Sequence, residues 1–211
     1  LGELSFECVG SNYFVLPLVV DSGIPTSYSL LFDSVALAAG FTDQLSQPIN
    51  RETTEILIPL HQDVVPGKYR VQLVFANALP KCEEVALDLE LIVNFSANMI
   101  FQRWNDVLSV VAPEYNYGFL FDSFQWVKNG EKLEGATRSY YYEEMGLDLE
   151  AEYQVEVVLP NGVVLTTCPF VPTPYTEPQQ SPKKIIENQQ LIIIRNNVRY
   201  NAQGAMIQEN K

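Results

Sequence analysis

Apolar and polar residues alternate along most of the first part of the chain. Residues 68–76 place Tyr69, Val71, Leu73 and Phe75 on one face, with Arg70 and Gln72 on the other. Residues 85–93 repeat this period, and shorter copies occur at residues 28–32 and 56–60. A period of two is typical of a half-buried β-strand, and turn-forming residues separate these segments. About seven short strands in this stretch predict an immunoglobulin-like β-sandwich over residues 1–95.

A second alternating region follows after a short unpatterned segment. Its central feature is a predicted hairpin with Asn129 and Gly130 at the turn. Asn-Gly favours a type I′ turn, because both central residues need positive φ. Trp126 lies on the strand before this turn, and Tyr153 has the spacing of the tyrosine corner of immunoglobulin domains, so both are predicted structural core residues. A second immunoglobulin-like β-sandwich is therefore predicted over residues 96–172.

The end of the sequence changes character twice. Residues 173–182 are rich in proline and predict an extended linker. Residues 183–211 predict a β-meander with strands at 191–195, 198–200 and 205–208. A meander this small is marginal alone, so it must dock on the second domain, dimerise or be held by other machinery. The expected fold is all-β: two tandem immunoglobulin-like or fibronectin-like β-sandwich domains followed by a short β-meander tail.

Charge and apolar content exclude two classes of partner. The formal net charge is −13 at pH 7. Binding to nucleic acid needs clustered Lys and Arg for phosphate contacts, so this charge argues against nucleic acid as a ligand. No run of about 18 apolar residues occurs in the sequence, so no transmembrane segment is predicted.

The three cysteines stand singly in the sequence. In an oxidising compartment one Cys8–Cys82 disulfide could form and leave Cys168 free. The alternative is that all three are small, buried apolar residues. Together with the single histidine, His61, they have no spacing suited to zinc, so we predict no metal site and no cofactor.

Candidate catalytic groups are few. His61 is the only imidazole, and it lies among loop-forming residues at the end of a predicted strand. Five carboxylates cluster before the Tyr153 strand: Glu143, Glu144, Asp148, Glu150 and Glu152. They could supply an acid and a base for glycoside hydrolysis, or a loose calcium site, but a solvated loop is the simpler interpretation. We therefore predict no catalytic residue and no enzyme.

Tyrosines supply the best candidate for a binding surface. The candidates are Tyr115, Tyr117, Tyr140, Tyr141 and Tyr142. Neighbouring residues on a strand point to opposite faces, so three consecutive tyrosines cannot all be buried. Exposed rings could stack on sugars or contact a partner protein. The alternative is that one face is core and the other only reflects β-propensity.

Two stretches resemble parts of a known group of surface proteins. Residues 101–108 (FQRWNDVL) and 124–130 (FQWVKNG), followed by Gly135-Ala136-Thr137, resemble the immunoglobulin-like modules near the C-termini of large Bacteroidetes-type surface proteins. The segment KIIENQQLIIIRNNVRYNAQGAMI is similar to the type IX secretion sorting domains of the same proteins. The resemblance implies a cell-surface or secreted protein whose tail engages secretion or sorting machinery.

These observations lead to two function hypotheses. The leading one is a non-catalytic stalk or adhesion-type segment with a sorting or anchoring tail. The alternative is a carbohydrate-binding module that accompanies a glycan-degrading enzyme. The candidate ligands are a protein or a glycan.

Overall fold

The computed structural model describes residues 6–19, 25–50, 52–77, 85–110, 115–175, 183–187, 190–195, 198–201 and 206–207. Nearly all regular structure in these residues is β-strand, and their one α-helix, α1, covers Ser34–Ala38. The all-β prediction is therefore confirmed. The strands are β1 (Glu7–Cys8), β2 (Tyr13–Pro17), β3 (Pro25–Phe32), β4 (Gln44–Pro48), β5 (Glu55–Pro59), β6 (Gly67–Asn77), β7 (Val85–Asn94), β8 (Ile100–Arg103), β9 (Val107–Val110), β10 (Ser123–Lys128), β11 (Glu131–Lys132), β12 (Tyr140–Tyr142), β13 (Tyr153–Val158), β14 (Val164–Thr166), β15 (Lys183–Glu187), β16 (Gln190–Arg195) and β17 (Val198–Tyr200).

Strands β1 to β7 enclose a first hydrophobic core, and we call this part lobe 1. Five strands form one sheet in the order β1-β7-β6-β3-β4, while β2 and β5 pair as a second sheet. β1 runs parallel to β7. Alternating side chains from both sheets are fully buried in one cluster, among them Phe14 and Ile58 from the small sheet and Leu30 and Leu73 from the large one. Lobe 1 is therefore a β-sandwich.

Strands β8 to β14 enclose a second core, which we call lobe 2. One sheet has the order β11-β10-β13-β14, and the other has the order β12-β9-β8. Trp126 and Val155 from the first sheet and Leu108 from the second are fully buried in one cluster. The sheet of β8, β9 and β12 thus faces the sheet of β10, β11, β13 and β14. This is a fibronectin-like sandwich arrangement.

A buried tyrosine lies at or near the start of a central strand in each lobe: Tyr69 is the third residue of β6, and Tyr153 is the first of β13. In lobe 1 the Tyr69 hydroxyl donates a hydrogen bond to the Val65 carbonyl over 2.8 Å. In lobe 2 the Tyr153 hydroxyl accepts a hydrogen bond from the Asp148 backbone N–H over 3.0 Å, and the Tyr153 ring has no solvent exposure. In both lobes the hydroxyl ties the strand to the backbone four or five residues upstream, as a tyrosine corner does.

The two lobes meet where β7 ends. Phe95 follows the last residue of β7 directly, and its backbone N–H donates to the Thr166 carbonyl over 3.0 Å. The Cys168 N–H donates to the Phe95 carbonyl over 2.8 Å. The buried Asn94 side chain accepts a further hydrogen bond from the Thr166 N–H over 3.2 Å. The last strand of lobe 1 and the last strand of lobe 2 are therefore joined by backbone and side-chain hydrogen bonds.

A disulfide bond joins Cys8 to Cys168 across this junction, with the two Cα atoms 6.0 Å apart. The predicted Cys8–Cys82 pairing is therefore wrong, and Cys168 is not a free thiol. Cys8 lies opposite Asn94 in the parallel pair of β1 and β7, and the Phe95 backbone binds Cys168. These two pairings bring together sulfurs that are 160 residues apart in sequence. Cys82 lies outside the described residues.

Residues 1–172 form one compact unit and residues 173–211 form another. In the second unit β15, β16 and β17 form an antiparallel meander in which Ile192 is buried. The Arg199 guanidinium pairs with the Glu187 carboxylate. The strands predicted at 191–195 and 198–200 are present, whereas β15 was not predicted. Most of the predicted linker, and the ends of the strand predicted at 205–208, lie outside the described residues.

Candidate functional site

The three-stranded sheet of lobe 2 has one face in the core and one face in solvent. Tyr141 pairs with Leu108 in the register between β12 and β9, and Ile100 begins β8 on the same inner side. Leu108 is fully buried and Ile100 is 3% exposed. Because side chains alternate along a strand, the residues flanking these three point outward.

The outward side chains form two rows across the sheet. The first row is Phe101, Ser109 and Tyr140, and the second row is Arg103, Val107 and Tyr142. Phe101, Tyr140 and Tyr142 are 49%, 43% and 54% exposed. Each row spans two strand spacings, on the order of 10 Å. We call these six residues, with the neighbouring Arg138, the aromatic face.

Two arginines lie over rings of this face. The Arg103 guanidinium carbon is 5.7 Å from the centre of the Phe101 ring. The Arg138 guanidinium carbon is 5.8 Å from the centre of the Tyr140 ring, and its Nη1 donates to the Tyr140 hydroxyl over 2.6 Å. Cation–π contacts of this kind orient the guanidinium groups. Neither arginine forms an ion pair with a carboxylate in the described part of the chain.

The buried Trp126 holds one edge of the face in place. Its indole Nε1 donates a hydrogen bond to the Arg138 carbonyl over 2.9 Å. A shallow cavity of about 250 Å³ lies beside this segment, and Glu134, Arg138 and the tyrosines of β12 line it. The backbone that carries Arg138 is therefore anchored to the core of lobe 2.

The predicted tyrosine surface divides into three parts. Tyr140 and Tyr142 lie together on the aromatic face. Tyr141 points inward, where its ring centre is 6.1 Å from those of both Trp126 and Tyr153, so it is not part of the aromatic face, although it lines the shallow cavity beside Arg138. Tyr115 and Tyr117 are 40% and 43% exposed but lie in the turn before β10 and not on the sheet.

Three exposed residues near the face were not predicted as binding residues. Phe101 and Arg103 become part of it only through the pairing of β8 with β9. Trp104 follows β8 in the left-handed backbone region, with φ of 58°, and is 55% exposed. A bulky residue at positive φ is uncommon and marks a turn or a strained functional position. Alternation in Phe101-Gln102-Arg103 was the sequence signal available for the first two.

The acidic loop is bound into the structure of lobe 2. The Glu143 carboxylate accepts hydrogen bonds from Lys128 Nζ over 2.9 Å and from the Tyr153 hydroxyl over 2.7 Å. Burial lowers the pKa of Lys128, but its hydrogen bonds to Glu143 and Tyr153 outweigh burial and raise it above its ordinary value. Asp148 accepts from the backbone N–H of Glu150 over 3.0 Å. These contacts give Glu143 and Asp148 structural roles, whereas Glu144, Glu150 and Glu152 are exposed.

His61 is exposed on the loop after β5. Its Nδ1 lies 3.4 Å from an Asp63 carboxylate oxygen and accepts from the Asp63 N–H over 3.3 Å. Among the residues described, no three His, Cys, Asp or Glu side chains are grouped to hold a metal ion. No helix in the same residues is long and apolar enough to cross a membrane.

A second cavity, of about 560 Å³, lies on the outer face of the large sheet of lobe 1. Its lining includes Arg70, Gln72, Asp88 and Glu90. Gln72 donates to Asp88 over 3.0 Å, and Lys68 lies 3.3 Å from Glu90. Among the described residues that line this cavity none presents an exposed aromatic ring, so it offers a weaker surface for binding than the aromatic face.

No protein-family model and no curated protein matches this chain. Among solved structures it is similar to SGBP-B of the Bacteroides ovatus mixed-linkage glucan utilization locus, solved in complex with a mixed-linkage heptasaccharide, with 10% sequence identity and a TM-score of 0.27. The match covers 98% of this chain and 63% of that chain. This chain therefore spans less than two thirds of the length of that neighbour.

Proposed function

We propose that the chain is a non-catalytic carbohydrate-binding segment of an exported protein, with the aromatic face as its binding surface. The observation that carries the proposal is the exposure of Tyr140 and Tyr142 on one sheet face beside Arg103 and Arg138. This favours the carbohydrate-binding hypothesis over a pure stalk, because a spacer needs no exposed aromatic rings.

The chemistry of the face suits a sugar ligand. One side of a sugar ring presents C–H groups that pack on an aromatic ring, while its hydroxyls need hydrogen-bond partners. Tyr142 offers the most exposed ring of the face. Arg103, Arg138 and Ser109 supply polar groups around it. The engagement of the Glu143 carboxylate with Lys128 and Tyr153 supports a non-catalytic role for the lobe.

The test is retention of the protein on polysaccharides in affinity gel electrophoresis. We expect retention on at least one polysaccharide, and we expect Tyr142→Ala to abolish it. Tyr13→Ala is the matched control, because Tyr13 is 50% exposed on the small sheet of lobe 1. Retention on no polysaccharide, or equal losses for the two variants, would contradict the proposal.

A second proposal concerns export and display. The disulfide between Cys8 and Cys168 supports an oxidising location, since such bonds persist in extracytoplasmic compartments. The bond also links the two lobes, which suits a semi-rigid stalk. We propose that residues 183–211 act as the sorting or anchoring tail and engage secretion machinery. The support for this is their sequence resemblance and the observed meander of β15 to β17.

The sorting proposal is tested in a host with type IX secretion. Full-length protein should reach the cell surface, and a variant lacking residues 183–211 should accumulate in the periplasm. Equal surface exposure of both forms to an added protease would reject the sorting role. It would leave the carbohydrate proposal untouched.

A further inference from the structure

We infer that the ligand of the aromatic face is an acidic polysaccharide, one that carries uronate carboxylates. The inference rests on the carbohydrate-binding function proposed above and names the class of sugar. It follows from the charge and arrangement of Arg103, Arg138 and Tyr142.

The aromatic face differs in charge from the chain as a whole. The sequence has 26 acidic residues against 13 Lys and Arg, so most of its surface repels anions. The outward positions of β8, β9 and β12 carry one charged residue, Arg103, and Arg138 stands two residues before Tyr140. The face is therefore cationic within an acidic molecule.

The charges of Arg103 and Arg138 are available to a ligand. Lys68, Lys128 and Lys132 are each within 4.0 Å of a carboxylate oxygen. Arg103 and Arg138 instead lie over aromatic rings, and in the described residues neither has a carboxylate partner. A guanidinium group held over a ring keeps N–H donors at its edge, and these suit the two oxygens of a carboxylate.

The Tyr142 ring is placed to stack on a sugar beside these charges. Tyr142 lies across Val107 from Arg103 in one row of the sheet. A guanidinium group lies over the Phe101 ring and another over the Tyr140 ring. Among the described contacts no cation lies over the Tyr142 ring. A sugar ring stacked on Tyr142 would place substituents toward Arg103 on one side. Arg138, which precedes β12 and contacts Tyr140, would receive those of a neighbouring sugar.

The Glu134 carboxylate works against this ligand. Glu134 lines the same shallow cavity as Arg138. A carboxylate there repels a uronate, so its removal should strengthen binding of an acidic chain. Removal should leave binding of a neutral chain nearly unchanged. Glu134→Gln is thus expected to strengthen binding of an acidic chain, whereas loss of an arginine from the face is expected to weaken it.

The experiment measures the affinity of the intact chain for polygalacturonate and for a neutral mixed-linkage glucan by isothermal titration calorimetry. We expect polygalacturonate to bind, and we expect Arg103→Gln with Arg138→Gln to weaken binding by more than about tenfold. The matched control is Lys68→Gln with Lys132→Gln, which gives the same net charge. It should change affinity less than about twofold. Glu134→Gln should strengthen binding, and added salt should weaken it.

The outcomes separate the two proposals. Binding of neutral glucan but not of polygalacturonate would overturn the acidic ligand and retain carbohydrate binding. Binding of neither, with a panel of other polysaccharides also negative, would overturn both. Equal losses in the arginine and lysine double variants would show unspecific attraction and overturn this site. Circular dichroism and melting curves of each variant confirm that it is folded before its affinity is compared.

Discussion

At the scale of single residues, Trp126 links the core of lobe 2 to its exposed face. The indole has no solvent exposure, and its Nε1–H is satisfied by the Arg138 carbonyl. Its ring also lies beside Tyr141, the inward member of β12. One buried side chain therefore fills the sandwich and holds the segment that carries Arg138.

Replacement of Trp126 by Ala should lower the free energy of unfolding of lobe 2 by about 3–5 kcal/mol, because the change leaves a cavity and removes a large apolar side chain. Urea denaturation followed by circular dichroism measures this. Trp104→Ala is the matched control, since Trp104 is 55% exposed, and its effect should stay below about 0.5 kcal/mol. Similar losses for the two variants would contradict the assignment of Trp126 to the core.

The buried tyrosines predict how stability changes at high pH. Burial raises the pKa of the Tyr153 phenol above 10.0, and its hydrogen bond to Glu143 raises it further. Burial also raises the pKa of Tyr69. In the unfolded chain these phenols lose their protons first. Their contribution to stability is therefore complete below pH 10.0 and is lost as the pH rises through the folded-state values.

The measurement is the free energy of unfolding between about pH 9 and pH 12, with tyrosinate absorbance followed in parallel. We expect stability to fall with pH across this range and the fall to be smaller in Tyr153→Phe. Tyr142→Phe, which removes an exposed hydroxyl, should show the same pH dependence of the free energy of unfolding as the unchanged protein. A flat profile, or an equal change in both variants, would contradict this account.

At the scale of elements, the hairpin of β10 and β11 defines the edge of the four-stranded sheet. Asn129 and Gly130 have φ of 51° and 80°, and Lys128 pairs with Glu131 across them. These are the backbone angles that a two-residue type I′ turn requires. The Asn129 side chain also accepts a hydrogen bond from the Glu152 N–H over 2.9 Å, which ties the turn to the start of β13.

Gly130→Ala should destabilise lobe 2 by about 1–2 kcal/mol, because an L-residue with a Cβ is strained at positive φ. Apart from Gly130 and its two chain neighbours, no heavy atom of the described residues lies within 4 Å of the position of the added Cβ, so the cost comes from the backbone and not from a clash. Thermal unfolding measures the change. Glu131→Ala, at the next position, serves as the control. A Gly130→Ala protein as stable as the control would exclude the positive-φ turn.

At the scale of the whole molecule, the disulfide and the shared strand edge join two sandwiches into one compact unit. Residues 1–172 form this unit, and Phe95 packs its ring edge-on against Phe119 and Phe121 of lobe 2 at the junction. The bond between Cys8 and Cys168 closes a loop that contains nearly all of both lobes. Such a bond restricts the unfolded chain strongly.

Loss of this bond through Cys8→Ser or Cys168→Ser should lower stability by about 4–5 kcal/mol on the chain-entropy estimate. Melting curves with and without reductant measure the effect, and peptide mapping under non-reducing conditions identifies the bond. Cys82→Ser is the control and should leave the Cys8–Cys168 peptide in the map. A map that pairs Cys8 with Cys82 would contradict the observed connectivity.

The sequence by itself determined the strand-rich fold, one hairpin turn and one tyrosine corner. Alternation with a period of two predicted the long strands β6 and β7. A strand with one buried face needs apolar residues at every second position, and each segment shows this pattern by itself. Turn chemistry predicted the Asn129-Gly130 hairpin, and spacing indicated the corner at Tyr153. Each of these depends on residues close together in the chain.

Only the tertiary structure decided which distant residues share a surface. It paired β8, β9 and β12, which set Phe101 and Arg103 beside Tyr140 and Tyr142 while Tyr141 turned inward. It also brought Cys168 to Cys8 through the pairing at the junction of the lobes. A local pattern predicts which side chains of one strand share a face. The register between strands far apart in sequence decides which residues become their neighbours. The disulfide and the aromatic face both depend on that register.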